Sequence, residues 1–135
     1  EGYKALLALA DTAMDFQTSR IYPGIPEYFR ADGRGMYHYL TGAASWYMLT
    51  VITQAFGVRG EGGDLVIEPK LVREQFDSNG EAAIDFSFAG KRFRAVIVNP
   101  AGKDFGAYRA ARTVLSREAI SALPERGNTI RVELT

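Results

Sequence analysis

Residues 84–97 read IDFSFAGKRFRAVI. Ile84, Phe86 and Phe88 alternate with polar neighbours, Phe93, Ala95 and Ile97 alternate again, and Ala89-Gly90 stands between the two runs, which predicts a β-hairpin. Working outward, a Gly-rich turn at 60–63 leads into a short apolar strand, Leu65 to Ile67, ended by Pro69. Two more strands are expected, one around 108–115 and one through Ile130, Val132 and Leu134, with a helical turn over 117–123 before Pro124. Short strands and turns at this spacing predict a small antiparallel β-sandwich, jelly-roll-like, for residues 58–135.

Before residue 57 the period changes from two to that of a helix. Leu6, Leu7, Leu9, Ala10, Ala13 and Met14 recur at spacings of three and four, so an amphipathic helix is expected over 2–17. Asp11 and Asp15 would lie on its polar, solvated face. Pro23, Gly24, Pro26, Gly33 and Gly35 then punctuate an aromatic-bearing loop over 18–35, and Asp32 beside Gly33 reads as a turn residue. A second helix is expected to start at Thr41, as N-cap, and to stop at Gly57. It is apolar nearly all round, with Ala43, Ala44, Tyr47, Met48, Val51, Ile52, Ala55 and Phe56 on most of its circumference and Trp46 and Leu49 on the rest. A helix of this kind is buried inside something larger than one neighbouring helix, so Trp46 is expected in a core and the chain is expected to be a piece of a larger protein. By itself such a piece would expose that apolar face and tend to aggregate.

Composition bounds the function classes. The chain has 135 residues, with 16 basic and 16 acidic side chains and no cysteine. No basic run offers the footprint of a nucleic-acid binder, and the absence of thiols excludes disulfides and thiolate metal sites. The stretch 40–58 carries too many polar residues for a membrane span, and no targeting peptide is visible. A globular protein of the cytoplasm is expected, with neither nucleic acid nor membrane as a partner, and the start at Glu1 suggests a missing N-terminus. His38 is the one histidine, so it forms no metal cluster and reads as structural. Arg34, between two glycines, reads as an exposed loop arginine.

Residues 22–71 carry four motifs in order: Pro26-Glu27-Tyr28 in an aromatic loop, Leu40-Thr41-Gly42-Ala43-Ala44-Ser45-Trp46 at a helix start, Gly57-Val58-Arg59, and the strand Leu65 to Pro69. This order resembles the end of the catalytic domain of glycoside hydrolase family 94, the family of cellobiose, chitobiose and oligoglucan phosphorylases and of the phosphorylase-like module of cyclic glucan synthases. The resemblance covers roughly the first half of the chain. It implies an α+β fold in which residues 1–57 are the last helices of a truncated (α/α)6 barrel and residues 58–135 a C-terminal β-sandwich. It also implies an inverting glycoside phosphorylase that cleaves a β-linked glucan or disaccharide with inorganic phosphate to give an α-sugar 1-phosphate. Phosphate is then the co-substrate, no cofactor is needed, and the parent is a homodimer.

Thr41 and Gly42 fall on the positions that contact the attacking phosphate in that family. The physics suits the role: a helix start presents unpaired N–H groups and partial positive charge, a Thr hydroxyl adds a donor, and Gly lets an anion approach the backbone. Phosphate arrives already anionic, so one general acid suffices and no water-activating base is required. The resemblance puts that acid, an Asp, and a phosphate-binding Arg and His upstream of Glu1, which leaves no catalytic residue in this chain. Glu27 and Tyr28 fall in the loop that the family places near the acceptor sugar. The alternative is a non-catalytic carbohydrate-binding or structural module.

Overall fold

The apolar run that opens the chain is interrupted at Asp15. Helix α1 spans Gly2–Met14 and ends there, because the Asp15 carboxylate turns back to accept hydrogen bonds from the Gln17 and Thr18 amides and from the Thr18 hydroxyl. Asp15 thereby caps a second, one-turn helix, α2 (Phe16–Ser19), closed by Arg20 in the left-handed region at φ 59. A side chain that competes for backbone donors breaks a helix where periodicity alone would carry it through.

The computed structural model describes residues 1–21, 24–37, 42–109 and 112–135. They divide into two compact units, Glu1–Val51 and Ile52–Thr135. In the first unit, β1 (Tyr28–Phe29) and β2 (Gly35–Met36) pair antiparallel within what the sequence shows as a loop. Helix α3 follows at Ala43–Thr50, and its winding widens into a π-helical turn at Val51–Ala55.

Among its described residues the second unit holds six strands in two sheets. In one sheet β3 (Val58–Glu61) and β4 (Asp64–Ile67) form a hairpin, and β7 (Thr113–Leu115) pairs antiparallel with β4. The other is built on β5 (Glu81–Phe88) and β6 (Lys91–Val98), which pair antiparallel with Phe86 opposite Phe93. Between the β7 and final strands, α4 (Arg117–Ala122) is capped by Ser116. Strand β8 (Asn128–Glu133) then adds to β6 in parallel. Parallel neighbours need a long crossover, and residues 99–127, with β7 and α4, supply it. Leu65 and Ile67 from one sheet and Phe93, Ala95, Ile97 and Val132 from the other fill a single core with Leu71, Tyr108 and Leu134.

Gly57 is required where it stands. Its φ is +67, and a Cβ built on it would lie 1.9 Å from the Glu68 carbonyl oxygen, because the Glu68 amide closes back onto the Gly57 carbonyl at 3.1 Å.

The expected fold class is therefore corrected. Among the described residues only α1 is a long helix, the strands dominate, and no set of (α/α)6-barrel helices is present. The sandwich is not a jelly roll either, since six strands replace eight and the β6–β8 pair is parallel. The second helix is also shorter than expected, eight α-helical residues from Ala43, and none of its residues is buried. Trp46 is 68% exposed where a core position was expected. Apolar residues all round a helix give it no single face to bury, and α1 can cover only one side; there the Tyr47 hydroxyl donates to the Leu6 carbonyl at 3.0 Å.

Candidate functional site

Of the residues singled out for phosphate, Thr41 lies outside the described residues, as does His38. Gly42 occupies the N-cap position of α3, exposed, with its carbonyl accepting from the Trp46 amide at 2.8 Å. The N-cap role expected of Thr41 thus falls to a residue with no side chain to fill it. A Cβ on Gly42 would meet the Trp46 indole at 3.1 and 3.3 Å, so the glycine also makes room for the ring one turn on.

Glu27 and Tyr28 stand together where the chain enters β1. The Glu27 amide donates to the carbonyls of Met36 and Tyr37, at 3.2 and 3.0 Å. Tyr28 pairs with Met36, is half exposed, and tilts its ring against that of Tyr37 with centroids 5.9 Å apart. Among the described residues, none of these hydrogen bonds or ring contacts joins Tyr28 to Gly42. The hairpin presents an exposed carboxylate, which accepts, beside two exposed phenol rings, whose hydroxyls donate and whose faces stack, groups of the kind that hold polar ring compounds.

Two other acidic residues of this unit, Asp15 and Asp32, have local duties. The Thr18 hydroxyl, with the Thr18 and Gln17 amides, holds the Asp15 carboxyl below its ordinary range. Asp32 accepts from the Arg34 amide at 3.2 Å and pairs with Arg30 at 3.2 Å, as an Asx turn does. Asp11 is exposed on α1, and Arg34 is exposed in the hairpin turn.

Sequence reading passed over a charged cluster in the second unit. Arg59, on β3, donates through Nε to Glu61 at 2.7 Å and through Nη2 to Glu68 at 2.6 Å, and Arg112 pairs with the second oxygen of Glu61. The bonds to Glu68 and Glu61 raise the Arg59 pKa, and those from Arg59 and Arg112 lower that of Glu61. A carboxylate so held is a poor proton donor near neutral pH, so Glu61 suits an ionic staple across β3, β4 and the approach to β7 rather than a general acid. The signal was present: Arg59 and Glu61 are two apart, on one face of a strand, but the segment read as a turn.

A second feature is an open groove of about 530 Å³ on the outer face of the β5-β6-β8 sheet, lined among others by Asp85, Ser87, Arg92, Arg94 and Thr129. These are the polar halves of the alternating runs whose apolar halves predicted the hairpin. Among the described residues no helix is long and apolar enough to cross a membrane. Compared with protein-family models and with curated proteins, the chain matches none.

Proposed function

We propose that this chain is part of an inverting glycoside phosphorylase, in which Thr41-Gly42 binds the phosphate that attacks a β-linked glucan or disaccharide. The observation that carries the reading is Gly42 at the exposed start of α3, inside the ordered motifs Pro26-Glu27-Tyr28, Leu40 to Trp46 and Gly57-Val58-Arg59. An anion at a helix start gains from the outward N–H groups and the helix dipole, and a Gly at the N-cap permits its approach. Glu27 and Tyr28 contribute to the sugar site through the exposed carboxylate and ring. None of the acidic residues of the first unit discussed above is assigned the proton transfer, which belongs to an Asp supplied by the rest of the enzyme.

The test is steady-state phosphorolysis by the full-length protein, reading release of sugar 1-phosphate. Thr41→Ala is expected to raise the KM for phosphate by about tenfold or more, the loss of one charge-assisted hydrogen bond, with the KM for sugar nearly unchanged. Equal effects on the two constants would remove the phosphate role. Absence of any sugar phosphate would favour the non-catalytic module, a reading that the self-contained core of the second unit also supports.

A further inference from the structure

The outer face of the β5-β6-β8 sheet carries three arginines, and two have carboxylate partners. Arg94 lies opposite Asp85 in the antiparallel register and pairs with it at 2.8 Å. Arg131 reaches across β6 to Glu81. Arg92 differs because of its neighbours. Its cross-strand partner on β5 is Ser87, and on the β8 side the register that sets Phe93 beside Asn128 brings Gly127 alongside. Among the described residues no ion pair or side-chain hydrogen bond engages the Arg92 guanidinium, although its backbone is bonded on both sides, to Glu125 and to the Asn128 amide.

The space beside Arg92 follows from the same residues. A Cβ built on Gly127 would meet nothing within 4 Å, so the end of β8 leaves a notch there, continuous with the 530 Å³ groove. A volume of this order accommodates one or two sugar rings. Asp85 and Arg94 neutralise each other, which leaves the lining with one net positive charge, on Arg92. Around it stand the Ser87 and Thr129 hydroxyls, which donate and accept.

We propose that this groove binds an anionic sugar, with its carboxylate or phosphate on the Arg92 guanidinium and its hydroxyls on Ser87, Thr129 and Asp85. A planar guanidinium takes two oxygens of either anion side by side, and mixed hydroxyl and carboxylate side chains suit the sugar's own hydroxyls. A peptide would need a free strand edge for its backbone, whereas this groove lies on a sheet face whose central strand is paired on both sides. The site is independent of Thr41-Gly42, so its failure leaves the phosphorylase reading standing.

Saturation-transfer NMR on the full chain tests it, because the ligand is observed and protein size is no obstacle. Glucuronate and glucose 1-phosphate are expected to show saturable transfer, with glucose about tenfold weaker or more. Arg92→Gln is expected to weaken both anionic sugars by at least about tenfold, while Arg131→Gln, on the same face outside the groove, leaves them unchanged. Circular dichroism melts of both variants should match the parent, since both positions are exposed. Equal binding of glucose, displacement by inorganic phosphate as effective as by glucose 1-phosphate, or an Arg92→Gln protein that binds like the parent would each overturn the proposal.

Discussion

Tyr108 is buried, and its hydroxyl donates to the Leu71 carbonyl at 2.7 Å. Burial pushes its pKa from the ordinary 10.0 up to about 12. The unfolded chain therefore releases this proton first as pH rises, so the stabilisation is complete below about pH 10 and is lost towards about pH 12. Urea titrations across that range should show stability falling in the parent, with Tyr108→Phe removing this part of the fall. In Tyr108→Phe the Leu71 carbonyl loses its donor, which should cost about 0.5–1.5 kcal/mol at neutral pH. At this scale the sequence was readable where a residue acts on its own neighbours: Asp32 does hold a turn. It misled where two local roles compete. Asp15 satisfies the helical period as well as it satisfies a cap, and only the geometry of Thr18 shows that the cap prevails.

The hairpin β5-β6 was legible as an element because alternation and a two-residue turn reinforce each other. Ala89 and Gly90 take φ values of 48 and 75, the left-handed pair that a two-residue connection demands, yet Ala89 carries a Cβ that disfavours it. Ala89→Gly is accordingly expected to stabilise the second unit by roughly 0.5–1 kcal/mol, read as a higher thermal midpoint, against the general tendency of glycine to loosen a chain. A lower midpoint would mean that the unfolded-state entropy outweighs the strain. Helix α3 is the opposite case. Its residues carry no moment that selects a face, so neither its length nor its burial follows from sequence, and the α-helix gives way at Val51 to a wider turn.

Across the whole molecule the two units differ in how they hold together. The second encloses Leu65, Ile67, Leu71 and Ile97 almost completely, whereas the first leaves Leu7, Met14, Phe16, Trp46 and Met48 exposed. Leu65→Ala should cost about 2–5 kcal/mol through lost burial and a residual cavity, while Leu7→Ala should change stability by no more than about 0.5 kcal/mol; chemical denaturation of both variants checks the contrast. Sequence by itself determined the local parts: the strands around Leu65, Ile84, Phe93 and Val132, the Ala89-Gly90 turn, and the helical turn before Pro124, because side-chain period and turn stereochemistry act within a few residues. Only the tertiary structure decided that β8 runs parallel to β6, that Arg59 is stapled between two glutamates, that Trp46 stands in solvent, and that Arg92 faces a serine and a glycine instead of an acid. Each of these depends on what stands across from a residue, and pairing between distant segments is settled by the packing of the whole core, which no local period encodes.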